Sequence, residues 1–374
     1  MSKLEERLAP VLETAARYAA AVDTDGEFPE AAVQALRDSG LLGLTLPTEV
    51  GGLGAGPVEF AEVTQQLAAA CGSTAMIYLM HVSAAMPIAS APPNIPGVVE
   101  DLASGAALGT LAFSERGSRS HFWAPVSKAQ HEAGKIRVRA DKSWVTSASW
   151  ADTYMISTGS ADGDGPTDTD LYVIGRDADG VKVAAPWQGM GLRGNASSPM
   201  TVDTLVDESA RIGDAGSGFA TMMSVVLPWF NLGNASVTLG LAKAALDASV
   251  THVTAARLEH LDTCLADLPT IRQRIGRAGI MLAAQQEYVR ATARKIAEPD
   301  DSTMMYVLGA RASANEAALT ITDEAMRVCG GAAFSKHLPV ERAFRDARAG
   351  HVMAPTADVL YDFYAKALCG MDLF

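Results

Sequence analysis

Three histidines are the side chains best suited to move a proton near neutral pH: His81 in YLMHVSAAM, His121 in SRSHFWA and His351 in ARAGHVMAPT. On a run as apolar as that around His81, a lone imidazole is either a hydrogen-bonded core residue or a catalytic group. His351 either caps the turn before it or orients a polar group of a substrate. Glu341-Arg342 and Arg345-Asp346 read as ion pairs at a helix end. No cluster of His, Cys, Asp or Glu has metal-ligand spacing, and there is neither a P-loop nor a Gly-x-Gly-x-x-Gly after a strand.

Composition narrows the classes. The chain has 374 residues, 48% apolar and 20% charged, with a formal net charge of −13. That length suggests two or three packed layers or subdomains. An acidic balance excludes the basic footprint of a nucleic-acid partner. No apolar run reads as long enough to span a bilayer, and MSKLEERLAPVLETAARYAAAV reads as an amphipathic helix rather than a secretory signal. Cys71, Cys264, Cys329 and Cys369 are scattered singly, as expected for buried thiols of a cytoplasmic protein.

The elements that must position any site change character twice. Residues 1–108 carry helical periodicity, broken by the turn-rich PTEVGGLGAG and by the prolines at 92, 93 and 96. Residues 109–214 hold short β-branched and aromatic runs (LGTLAFSE, KIRVRADKSWVTS, DTYMISTG, DLYVIGRD) separated by turn compositions, which predicts a small antiparallel β domain. Residues 215–374 return to long Ala- and Leu-rich helices, predicting a bundle. The fold class expected is α+β, mostly α, with an N-terminal helical domain, a middle antiparallel β domain and a C-terminal four-helix bundle.

Five separated motifs then carry a resemblance to the flavin-dependent acyl-CoA dehydrogenases: LPTEVGGLGAG (46–56), LAFSERGSRS (111–120), DKSWVTSASWAD (141–152), GMGLRGNASS (189–198) and RVCGGAAFSKHLPVERAFRDAR (327–348). The resemblance implies a bound FAD, or FMN. An isoalloxazine ring needs a flat apolar contact and donors along its polar edge. By the resemblance Trp144 lies against the ring, with Phe113, Ser114, Ser120, Thr146, Ser147, Thr356 and Asp358 near the cofactor. Arg257, Arg327, Gly330 and Gly331 are implied to meet the dinucleotide arm of a neighbouring subunit in a homotetramer or homodimer.

The chain departs from this family where the chemistry sits. The family's Tyr-Glu-Gly-Thr glutamate removes the substrate α-proton; here Met353-Ala354-Pro355-Thr356 puts Ala354 in its slot. The alternative site of the base aligns with Phe230, and the arginine beside it with Asn231. Asp358 is the one displaced base the alignment offers. His121 replaces an aspartate and is followed by Phe122-Trp123, while Arg257 keeps its place without the Phe-Gly pair and Gln that usually follow.

These losses resemble the two-component flavin monooxygenases on the same scaffold. A separate reductase supplies their reduced flavin, and a C4a-hydroperoxide oxygenates a small aromatic, indolic or other electron-rich substrate. Such a reaction needs no strong base. His121, His351 and His81 become its candidate polar groups, and Phe122, Trp123, Trp229, Phe230 and Ala354 its apolar pocket. Two other readings are a divergent acyl-CoA or acyl-carrier-protein dehydrogenase with a displaced base, passing electrons to an electron-transfer flavoprotein, and a non-catalytic subunit paired with an active one.

Overall fold

The computed structural model describes residues 2–118 and 121–373. α1 (Lys3–Asp25) starts at a capping box, Ser2 accepting from the Glu5 N–H while the Glu5 carboxylate accepts from the Ser2 N–H. α2 (Glu30–Asp38), α3 (Pro57–Ala70), α4 (Gly72–Ser90) and α5 (Val98–Ser104) complete the first helical layer. α4 is buried on almost every side, which is why its sequence carries no polar stripe.

Two sheets follow, built from β1 (Gly109–Ala112), β2 (Gln130–Glu132), β3 (Lys135–Val145), β4 (Thr153–Gly159), β5 (Thr169–Gly175), β6 (Val181–Val183) and β7 (Ser198–Val206). Their strand orders are β1-β4-β5 and β2-β3-β7-β6. The β region is not wholly antiparallel as expected, because β1 pairs with β4 in parallel. The chain leaves β1, passes through β2 and β3 of the other sheet and only then returns, a connection long enough for a parallel partner.

α6 (Gly218–Thr221) runs through a π turn at Met222–Val226 into α7 (Leu227–Ala255). After the short hairpin β8 (Arg257–Leu258) and β9 (Thr263–Cys264) come α8 (Pro269–Ala297), α9 (Thr303–Cys329), α10 (Gly331–Phe334), α11 (Val340–Val352) and α12 (Ala357–Leu368). α7 packs on α8, α9 and α11 as the centre of the bundle. The continuous helix Gly218–Ala255 is, contrary to the compositional reading, long and apolar enough to cross a bilayer, but 89% of its most apolar stretch is buried inside the protein. It is the core helix.

One polar tie joins the three regions. Arg345 on α11 donates to both Asp23 oxygens on α1 at 2.8 and 2.6 Å, to Glu341 at 2.7 Å and to the Met190 carbonyl at 2.9 Å. The buried Asp346 accepts from the Leu192 N–H at 2.6 Å. Arg345 and Asp346 therefore do not pair with each other, as their adjacency suggested. Neighbours along a helix point about 100° apart, so each finds its own partner across the domain boundary.

Candidate active site

A cavity of about 850 Å³ opens between the β region and the bundle. β3 shapes one wall. Ile136, Val138, Ala140 and Lys142 alternate inward, so a lysine occupies a core position of the strand. Its Nζ donates to Glu115 Oε1 at 2.7 Å and to the Ser157 carbonyl at 2.5 Å. Glu115 also accepts from the Val126 and Ser127 N–H groups at 2.6 and 2.7 Å. Burial pushes the Glu115 carboxyl upward, but the Lys142 charge and these hydrogen bonds outweigh it and hold the group below its ordinary value.

Immediately beyond Lys142 the ladder is irregular, and Trp144 takes a left-handed φ of 55°. A bulge of this kind re-aims a side chain. The indole lines the cavity while remaining 62% exposed, with Trp187 edge-on at 5.7 Å. Ser147, Leu192 and Ala196 are also non-glycine residues at positive φ, and Leu192 lines the same cavity. Backbone conformations of this cost persist where surrounding structure enforces them, commonly at functional sites.

Deeper in, the Thr146 hydroxyl lies 3.0 Å from that of Ser197, and Asn195 Oδ1 is buried with no partner among the described residues. Thr146, Ser197 and Asn195 all line the cavity, as do Phe113 and Ser114. An exposed flat indole beside a hydroxyl pair and an unused buried acceptor matches what a flavin ring requires. Thr146→Val is expected to weaken flavin binding by roughly 5–10-fold, the worth of one hydrogen bond, in a titration of flavin-stripped protein.

The opposite wall comes from the bundle: Val226 and Phe230, one turn apart, with Val352, Met353, Ala354 and Thr356 from α11 and the segment after it. Behind it lies Arg311 of α9, wholly buried. Its guanidinium donates to Asn231 Oδ1 at 2.8 Å, Asn234 Oδ1 at 3.2 Å and the Met353 carbonyl at 2.9 Å, and it stacks 4.9 Å from the Phe230 ring centroid. Sequence alignment put Asn231 where the family carries arginine. The structure brings a guanidinium to that place from another helix. Arg311 was missed because its partners lie 42 to 80 residues away in sequence; the available signal was an arginine in an apolar helix facing two asparagines spaced three apart on α7.

Of the residues singled out from sequence, Phe113, Ser114, Phe122, Trp144, Thr146, Phe230, Ala354 and Thr356 line the cavity. Ser147 is buried beside it, its N–H donating to the Asn195 carbonyl at 2.9 Å. Ser120 lies outside the described residues. Trp123 and Trp229 instead fill the core, against Phe363 and Phe60 respectively. Asp358 is exposed on the first turn of α12 and is not on the cavity wall.

The histidines do not converge. His81 uses both ring nitrogens structurally, Nε2 donating to the Leu42 carbonyl at 3.1 Å and Nδ1 accepting from the Gly109 N–H at 3.0 Å. It therefore has no free nitrogen for catalysis. Burial lowers it to about 4, so it stays neutral. His351 faces Glu316 at 3.6 Å, away from its neighbour Val352 on the wall. His121 is exposed and stands edge-on to Trp123 at 5.2 Å.

Arg257, Arg327, Gly330 and Gly331 lie far from this cavity. Arg257 follows the C-terminus of α7, about 40 Å of helix beyond Phe230, and Arg327 is about 24 Å along α9 from Arg311. Among the described residues, nothing beyond their own chain neighbours lies within 4 Å of where a Cβ would stand on Gly330 or Gly331.

Models of the acyl-CoA dehydrogenase N-terminal, middle and C-terminal domains match residues 5–91, 110–205 and 216–369. The chain belongs to the acyl-CoA dehydrogenase family; it is a flavoenzyme, with FAD as the family's flavin, and an oxidoreductase. It is 27% identical to the probable acyl-CoA dehydrogenase YngJ of Bacillus subtilis (strain 168), over 92% of this chain and 91% of that protein. The solved butyryl-CoA dehydrogenase of Megasphaera elsdenii superposes with a TM-score of 0.92 at 20% identity, covering 99% of this chain and 98% of that one. FMN-bound TdsC from Paenibacillus sp. A11-2 superposes with a TM-score of 0.87 at 20% identity, again over 99% and 98%.

Proposed function

We propose that this protein is a flavin-dependent monooxygenase on the acyl-CoA dehydrogenase scaffold, using reduced FAD (or FMN) and O2 to oxygenate a small aromatic, indolic or other electron-rich molecule. One observation carries the reading. Among the described residues the sole cavity-lining carboxylate is Glu115, and it is engaged by Lys142 and two backbone amides. The two positions that the resemblance assigns to the family's proton acceptor hold Ala354 and Phe230, and both line the cavity. Thioester dehydrogenation needs a carboxylate within hydrogen-bond reach of the α-proton; oxygen transfer does not.

When bound and reduced, the flavin supplies oxygen activation. The chain's part is to exclude water and present the substrate. Leu111, Phe113, Phe122, Val226 and Phe230 give the cavity an apolar lining suited to that task. Trp144 would support the ring, and Thr146 with Ser197 would offer hydroxyls to its polar edge. O2 and a separate flavin reductase are the partners this reading requires, in the cytoplasm, where the four free cysteines remain thiols. Exposed apolar side chains at Ile280 on α8 and Phe334 on α10 suit contact with further copies in a homodimer or homotetramer. Such copies would also bring Arg257, Arg327, Gly330 and Gly331 to a neighbour's cofactor.

The test is spectroscopic. Anaerobic addition of butyryl-CoA is expected to leave the bound flavin oxidised, whereas mixing the reduced holoprotein with O2 is expected to give a transient oxygen-adduct absorbance. Bleaching by the thioester would instead favour a dehydrogenase, the activity in YngJ's name, with Asp358 turned inward as base. Silence in both assays, with a second chain co-purifying, would favour a non-catalytic subunit.

A further inference from the structure

We propose that Arg311 is a specificity-determining residue that makes the substrate side of the cavity electropositive, so that the enzyme selects substrates bearing a negative charge, such as an aromatic carboxylate. This rests on the reading that substrate occupies the cavity at Phe230 and Ala354.

Arg311 is wholly buried, and every hydrogen-bond partner it has is neutral: two asparagine oxygens and one backbone carbonyl. No described carboxylate forms a salt bridge with it. Burial alone pushes its guanidinium down to about 9, which still leaves it charged at neutral pH. A buried cation without a counter-ion is costly, and fold stability alone gives no reason to keep it when an apolar side chain would pack there.

The remaining groups around the cavity do not cancel this charge. Glu115 on the wall is neutralised by Lys142 at 2.7 Å. Arg116, also on the wall, adds a second cation. Asp346 stands behind Leu192 and is tied to its N–H, with Arg345 next to it in sequence. Glu316 faces His351 behind α11. An acidic protein of net charge −13 has thus placed an unpaired cation behind the one wall where the family's base has gone.

The guanidinium touches two parts of the cavity wall directly, the Phe230 ring with its centroid 4.9 Å away and the Met353 carbonyl at 2.9 Å. A ligand charge on the other side of that ring would be roughly 8 Å away. At an effective dielectric constant of about 20, a unit charge at that distance favours a monoanion on the order of 30-fold. Relaxation and residual water reduce this to an expected preference of about ten-fold.

The experiment uses two flat probes of equal size, indole-3-carboxylate and indole-3-carboxamide, bound to the oxidised holoprotein at pH 7 and followed by the perturbation of flavin absorbance. Wild-type protein is expected to bind the carboxylate about ten-fold more tightly than the carboxamide. Arg311→Lys should keep the preference and Arg311→Met should lose it, with thermal melting and the flavin spectrum confirming that each variant is folded. Should Arg311→Met fail to fold, Arg116→Ala decides: the preference should survive there, and its loss overturns the assignment to Arg311. Equal binding of the two probes by wild type, binding of neither, or an unchanged ratio in folded Arg311→Met overturns the proposal. Neither oxygen nor turnover is involved, so an anion preference without an oxygen adduct would retain Arg311's role and discard the monooxygenase.

Discussion

Replacing Lys142 with methionine is expected to destabilise the protein by about 3–5 kcal/mol and to strip it of flavin. The lysine stem occupies an inward position of β3, so methionine fills much of the same volume and the loss is electrostatic. Nζ donates to Glu115 at 2.7 Å and to the Ser157 carbonyl at 2.5 Å; removing it leaves both acceptors buried without that partner. The Lys142 charge is also what holds the Glu115 carboxyl below its ordinary value against the opposing effect of burial. Without it Glu115 must either protonate or remain an uncompensated buried anion, at the expense of the loop it organises through Val126 and Ser127. That loop and the bulge after Lys142 carry Ser114 and Trp144 to the cavity, so stability and cofactor retention should fall together. Urea unfolding at pH 7 and flavin content after gel filtration measure the two effects. A loss under about 1 kcal/mol would show the pair to be dispensable. The double variant Lys142→Met with Glu115→Gln should recover part of the loss, because it removes the stranded charge.

The same pair shows what could be read before the fold was known. Helix, sheet and helix regions follow from hydrophobic periods that differ by nearly a factor of two, and the five motifs lie far enough apart to order the domains. One wall of the cavity was legible for a similar reason: Ser114, Trp144 and Thr146, which line it, belong to short segments whose spacing survives without the fold. The substrate side was not. His121 stands at a motif position, His351 three residues before Ala354 and His81 on an apolar helix, and such sequence positions do not bring side chains together: the topology sends each to a different environment. Trp123 and Trp229 were placed with their neighbours Phe122 and Phe230, yet adjacent residues leave a helix or turn in different directions, and only the phenylalanines reach the wall. Arg311 depended on a contact between α7 and α9, which no local pattern encodes.

These facts separate scaffold from chemistry. Lys142, Glu115 and the Arg345–Asp23 tie hold the cavity walls in place, whereas Ala354 and Phe230, with Arg311 behind them, set the chemistry of the opposite wall. Where the resemblance places the family's carboxylate, this wall is apolar with a buried cation behind it. Such a surface opposes proton abstraction by a basic side chain and favours a ligand that brings its own negative charge.

Acid stability should respond to two buried groups acting in opposite directions. His81 lies at about 4 because burial disfavours its cation, below its ordinary 6.5. Between those values the unfolded chain binds the extra proton, so acidification through this window removes stability, roughly 2–3 kcal/mol on going from pH 7 to 4.5. Asp346 is raised by burial to about 6, above its ordinary 3.8. There the folded chain binds the extra proton, so acidification over the same interval returns roughly 2 kcal/mol. Wild-type protein should therefore change by less than about 1 kcal/mol between pH 7 and 4.5 from these two groups. Asp346→Asn keeps an oxygen for the Leu192 N–H but cannot titrate. It should unmask the histidine and lose roughly 2–3 kcal/mol over that interval in paired urea titrations. A variant as insensitive to acid as wild type would mean that His81 does not remain neutral between the Leu42 carbonyl and the Gly109 amide, and that the tie from α4 to β1 is weaker than its geometry implies.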